Sequence, residues 1–185
     1  MQSKQLIRLC QAALLAALAV VLVYLIHFPL IPAAPYLEYD MADVPVLLAT
    51  LLFGPLWGLG ILAVVSLIQA FLLGGNGWVG CVMHFVASGA LVLLVGVLYG
   101  KSRRFSHAIL GMAIGTVAVA ALMIPLNLTL TVYVNGMPAE LVRQMIFPAI
   151  VPFNLLKAGI NCTLTAVLFR SLTPVFRRYA ARLGI

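Results

Sequence analysis

The sequence predicts an all-α, polytopic membrane protein, a single domain over residues 1–185 with six transmembrane helices and both termini in the cytoplasm. Three observations predict it. Of 185 residues, 64% are apolar and only 8% charged, with a mean hydropathy of +1.17. An ordinary soluble domain carries about 25% charged residues, so eleven basic and four acidic side chains cannot clothe a water-facing surface of normal size. The chain also divides, at charges, prolines and glycines, into apolar runs near the roughly 20 residues that cross about 30 Å of hydrocarbon. Finally, the charges are sorted along the chain. Lys4 and Arg8 precede the first run, Lys101, Arg103 and Arg104 follow the fourth, and Arg170, Arg177, Arg178 and Arg182 follow the sixth. With six crossings these clusters share one side, and the positive-inside rule makes it the cytoplasm. The acids Glu38, Asp40, Asp43 and Glu140 fall on the opposite side, in loops or at a helix end.

The first helix is expected over residues 9–28, with an apolar stretch too long for the 7–15-residue core of a secretory signal. The second, 43–53, starts at Asp43 as N-cap with Pro45 in the first turn. It ends at Phe53-Gly54-Pro55, short for a full span and therefore tilted or flanked by protein. The third covers 57–73, the fourth 78–99, the fifth 107–134 and the sixth 147–172. No stretch between them has room for a soluble module of about 100 residues. The net charge of +7 is a record of topology and of contact with anionic lipid, not of nucleic-acid binding.

Several chemistries are excluded or reduced. Cys10, Cys81 and Cys162 lie inside apolar runs without paired spacing, which indicates neither a disulfide framework nor a zinc site. Gly96-Val97-Leu98-Tyr99-Gly100-Lys101-Ser102 superficially suggests a phosphate loop, but it has three residues between its glycines where four are required. His27, His84 and His107 are dispersed, each expected to snorkel or hydrogen-bond. An intramembrane enzyme acting through Glu38, Asp40 and Asp43 is the alternative reading of the acidic group. No histidine is expected to accompany that group, and its spacing is equally that of an extended loop ending in a helix cap. With no acid expected within a span, a proton-coupled carrier is disfavoured.

Lys157 is the residue that demands an explanation. It lies near the middle of the sixth run, where a charge costs about 2.5–3.5 kcal/mol on insertion scales and by default faces a cavity or a partner. Asn154 at minus three and Asn161 at plus four share its helix face. Since no acid is expected at its depth, a cavity is favoured over an interhelical cluster. In the fifth run Pro125 frees a backbone carbonyl and Asn127, Thr129 and Thr131 follow, so that Asn127 joins the same pocket if the two helices adjoin. Pro148 and Pro152 loosen the start of the sixth helix and place the pocket toward the outer leaflet. The first outer loop, 28–40, carries three prolines spaced by three, which favour an extended path. Leu37, Tyr36 and Tyr39 then serve either as an interfacial belt or as a lid over an aromatic ligand. Ala12/Ala16 and Ala13/Ala17 on the first helix, with Gly54/Gly58 and Gly111/Gly115, are small-xxx-small pairs that admit another helix, a subunit slightly before an internal neighbour.

The stretch Pro32-Ala33-Ala34-Pro35-Tyr36-Leu37-Glu38-Tyr39-Asp40, with Asp43-Val44-Pro45 and the later Pro152-Phe153-Asn154-Leu155-Leu156-Lys157-Ala158-Gly159-Ile160-Asn161, resembles the substrate-binding S-components of energy-coupling factor (ECF) vitamin transporters. The likeness is to the riboflavin-specific family known as RibU and spans nearly the whole chain. It implies a non-enzymatic subunit of the prokaryotic plasma membrane that captures riboflavin from outside, without a cofactor. It also implies a transmembrane scaffold partner carrying two ATPases. By the resemblance, Asn154, Lys157 and Asn127 would bond the flavin, with Leu37, Tyr39 and Asn161 in the same site, and Ala12, Ala13, Ala16 and Ala17 would form the docking face. His84, where the family pattern has asparagine before phenylalanine, departs from it within the helix-four contribution. Thiamine, biotin or pantothenate are the alternative vitamins.

Overall fold

A computed structural model describes residues 2–32, 34, 37–73 and 77–183, with side chains for 5–32, 34, 37–73 and 77–174. Tyr36 lies outside them. The order is α1 (Gln2–Leu25), β1 (His27–Pro29), β2 (Glu38–Asp40), α2 (Asp43–Phe53), α3 (Pro55–Leu72) and α4 (Gly77–Ser102). There follow α5 (Phe105–Leu126), continued by a π-helical stretch over Asn127–Val134, then α6 (Ala139–Met145), a second π stretch over Ile146–Ile150, and α7 (Val151–Leu183). Counted as continuous rods these are six helices. Five are long and apolar enough to span a bilayer: Gln5–Leu25, Pro55–Leu72, Gly77–Ser102, Phe105–Val134 and Ala139–Pro174.

The sixth, α2, has 11 residues and at 1.5 Å per residue reaches only about 16 Å. Its shortness has a structural cause. The segment after α1 turns its second strand into the bundle while its first stays exposed. His27–Pro29 pairs antiparallel with Glu38–Asp40, in the register His27 with Asp40, Phe28 with Tyr39 and Pro29 with Glu38, and Tyr39 and Asp40 end up buried. Buried non-helical backbone is tolerated where protein covers it, and here the chain is already inside the bundle at Tyr39 and Asp40 when α2 begins. Every residue from Asp43 to Leu51 is buried, and α2 packs on α1, α3, α4 and α7. A helix apolar on all sides is a buried helix, which is why this run has no polar face to read. Asp43 is not an N-cap as expected from the sequence. Ala42 holds that position without a side-chain cap, and Asp43 is the first helical residue, its carboxylate used elsewhere.

Close backbone approach fixes the other helices. A Cβ on Gly111 of α5 would stand 2.8 Å from Val95 Cα and 3.1 Å from Leu94 O of α4, while one on Gly115 would collide with Leu91 and one on Gly58 with Thr50. Gly58, Gly111 and Gly115 thus serve packing within the chain, contrary to the slight preference for a subunit contact, while a Cβ on Gly54 would meet nothing within 4 Å. Gly111→Ala is expected to lower stability by about 1–3 kcal/mol through overpacking, read as an earlier thermal transition in detergent. Gly60→Ala, with nothing within 4 Å of the added Cβ, should leave the transition in place.

Candidate ligand-binding site

Two prolines shape the walls of the site. Pro125 sits one residue before the end of α5 and Pro148 lies inside the second π stretch. In both places the helix widens, a distortion that often accompanies functional sites. Asn127 opens the first stretch, its Nδ2 donating to Met123 O at 2.8 Å and its Oδ1 accepting from Thr131 Oγ1 at 3.2 Å. Asn154 follows the second, Nδ2 donating to Ile150 O at 2.8 Å, which leaves Oδ1 for another donor. Both amides are buried.

Between these walls, the β hairpin and α3–α4 lies a cavity of about 920 Å³. It sits at the hairpin end of the bundle, lined by the last turn of α1 (Val23, Tyr24) and the first turns of α7 (Phe153, Asn154, Lys157). Of the seven residues assigned to substrate, Leu37, His84, Asn127, Asn154 and Lys157 line it. Tyr39 and Asn161 do not. The Tyr39 hydroxyl donates to Asn161 Oδ1 at 2.8 Å, and Asn161 Nδ2 donates to the Asp40 carbonyl at 3.1 Å. This pair pins the hairpin to α7 behind the cavity.

The expectation that Lys157 has no acid at its depth is overturned by the same hairpin. Lys157 Nζ lies 2.6 Å from Asp40 Oδ2, and Gln69 Nε2 donates to that oxygen at 2.9 Å. Asp40 Oδ1 accepts the Ala42 N–H at 3.0 Å, so the carboxylate stitches the hairpin to α2, α3 and α7. Burial alone would raise the Asp40 carboxyl; the charges of Lys157 and then His84, with the bonds from Lys157 and Ala42, outweigh it and hold it down at about 2. Its contribution to stability is therefore present above the ordinary carboxylate range and lost as pH falls through that value.

Asp43 anchors a second group. Its Oδ2 accepts from Ser88 Oγ at 3.2 Å, and Oδ1 lies 3.3 Å from His84 Nε2. A carboxylate only accepts, so Nε2 carries a proton, and the Ser66 hydroxyl faces Nδ1 at 3.1 Å. Two of the four acids are thus inside the bundle, and the ground on which proton coupling was disfavoured does not hold. Glu38 is exposed; it lines the cavity with Asp40 and Asp43, whose carboxylates are held by Lys157 and Gln69 and by His84 and Ser88. Among the described residues no group of three metal-ligating side chains occurs.

On α1 the alanines divide. Ala12 is buried and Ala16 packs against the core, whereas Ala13 and Ala17 are exposed. Ala12 therefore cannot belong to an outward docking face, because 3.6 residues per turn set it about 100° from Ala13.

Five apolar helices of spanning length around a cavity with a polar seam define a multi-pass membrane protein with a site for a small molecule. A family model for the substrate-specific component of ECF transporters matches residues 7–169, and the chain belongs to that family, whose members are transporter subunits and not enzymes. It is 31% identical over 177 residues to the riboflavin transporter RibU of Streptococcus thermophilus (91% of this chain, 83% of that one). It is equally 31% identical over 177 residues to RibU of Staphylococcus aureus (92% and 93%). Riboflavin transporter FmnP of Bacillus subtilis is 27% identical over 176 residues (90% and 92%). A solved S component of a bacterial ECF transporter superposes with a TM-score of 0.80 at 31% identity, covering 95% of this chain and 99% of that one.

Sequence reasoning missed Ser66, Gln69 and Ser88, and named Asp40 and Asp43 only in the enzymatic alternative and not as lining of a ligand cavity. A signal existed for the first three. Ser66, Gln69 and Ser88 are polar residues inside apolar spanning runs, the criterion that singled out Lys157.

Proposed function

We propose that this protein captures riboflavin from the outer side of the cell membrane and hands it to an ATP-driven ECF transporter. The observation that carries the reading is the cavity. About 920 Å³ is near the top of the roughly 300–1,000 Å³ of small-molecule sites. Its lining pairs apolar surface from Leu37, Met83, Met123 and Phe153 with the polar groups of Asn127, Asn154 and Lys157. A flavin needs this combination, since its flat tricyclic ring is apolar on both faces and carries donors and acceptors along one edge and its ribityl chain. Curated relatives named as riboflavin transporters support the choice of vitamin.

In this reading both termini are cytoplasmic, as the basic clusters require, and the cavity opens outward. The hairpin, tied down by Asp40, Tyr39 and Asn161, is its cover. The energising partners are a membrane scaffold and two ATPases, and the scaffold meets α1 on the face of Ala13 and Ala17. That helix is the least enclosed, with 17% of its spanning window buried against 28–44% for the others. In a competition series on detergent-purified protein, riboflavin should displace a bound flavin probe while thiamine, biotin and pantothenate should not. Displacement by one of those and not by riboflavin reassigns the vitamin.

A further inference from the structure

One buried polar atom lacks a partner among the described residues, the Oε1 of Gln69. Its place is not accidental. Gln69 lies near the end of α3 and lines the cavity, and its Nε2 donates to Asp40 Oδ2 at 2.9 Å. That bond fixes which end of the amide is which. Exchanging nitrogen and oxygen would set two acceptors against each other, because the Asp40 carboxylate has no proton to give. No donor among the described residues reaches it: Lys157 Nζ bonds Asp40 Oδ2, and the Ser66 hydroxyl faces His84 Nδ1. Native proteins leave few such acceptors, and each calls for a water, an ion or a ligand.

We propose that Gln69 is a specificity-determining residue of the cavity, its Oε1 accepting a hydrogen bond from a donor of the bound ligand. The inference rests on the flavin reading. Oε1 is shut off from water in this conformation although the residue lines the cavity, and the proposal requires a turn of the carboxamide to bring it to the wall. Riboflavin offers donors of two kinds, the imide N3–H of the ring and the hydroxyls of the ribityl chain. Either meets the requirement, and a ligand of equal size without the donor leaves a buried acceptor unsatisfied, the arrangement by which sites reject close analogues most strongly. α3 then contributes directly to recognition, beside α5, α7 and the hairpin.

The test measures dissociation constants of wild type and Gln69→Met for riboflavin, N3-methylriboflavin and lumiflavin, which lacks the ribityl hydroxyls. Methionine keeps the length of glutamine and removes its acceptor. The expected result is that Gln69→Met binds riboflavin about five- to a hundred-fold more weakly, and that this penalty disappears for one analogue. Loss of the penalty with N3-methylriboflavin identifies the imide as donor, and loss with lumiflavin identifies a hydroxyl. Gln69→Asn, which withdraws the amide by one methylene, should show the same analogue dependence and serves if the methionine variant does not fold. A penalty equal for all three flavins assigns the effect to pocket shape through Asp40 and overturns the proposal, as does wild-type affinity in both variants. A wild type that binds no flavin removes the functional reading itself and this inference with it.

Discussion

Lys157→Ala is expected to lower folding stability by about 3–5 kcal/mol, the cost of leaving a buried charge without its partner, and to abolish tight ligand binding. The size follows from what the substitution strands. Asp40 is 3% exposed, and its Oδ2 keeps only the Gln69 amide once the ammonium is gone. Because Asp40 joins the hairpin to α2, α3 and α7, its loss loosens the cover of the cavity as well as the bundle. Stability and binding can be separated by a second variant. Asp40→Asn with Lys157→Met removes both charges at similar volume, and such paired replacements are often neutral or stabilising. The thermal transition should recover most of its lost height in the double variant, while ligand affinity should not, since the cavity then lacks the ammonium. Recovery of both would make Lys157 a purely structural residue.

Tryptophan at Ala13 or Ala17 is expected to abolish uptake and leave ligand binding unchanged. Both residues lie on the exposed side of α1 and neither lines the cavity, and small residues at this spacing allow a partner helix to approach closely. The bulky ring removes that approach without entering the fold. Ala12→Trp is the contrasting case. At 5% exposure it faces the core, so it should reduce stability and binding together. The comparison requires uptake by riboflavin-auxotrophic cells that supply the partner subunits, beside equilibrium binding by each purified variant. Normal uptake in the Ala13 and Ala17 variants would place the docking surface elsewhere.

Much of the architecture was legible because hydrocarbon imposes length and apolarity on each span, and no tertiary information is needed to see either. The polar exceptions Asn127, Asn154 and Lys157 were legible for the same reason, and all three line the cavity. The hairpin was not. Its prolines announce extended chain, but nothing in Tyr39 or Asp40 tells whether that chain lies over the bundle or enters it. The answer depends on Asn161 and Lys157, more than a hundred residues away. From this one uncertainty came the assumption that Lys157 has no ionic partner. Gln69 and Ser66 were passed over because α3 carries no charge to draw the eye.

The central claim is that the cavity behind the hairpin is a flavin site. It is tested most directly by titrating detergent-purified protein with riboflavin and following the flavin fluorescence. The account predicts saturable quenching at one flavin per chain, since apolar walls and fixed hydrogen-bond partners take the ring out of water. It predicts too that Asn154→Ala weakens the binding without altering the folded yield. Fluorescence that stays that of free riboflavin throughout the titration, with the protein shown to be folded, would contradict it.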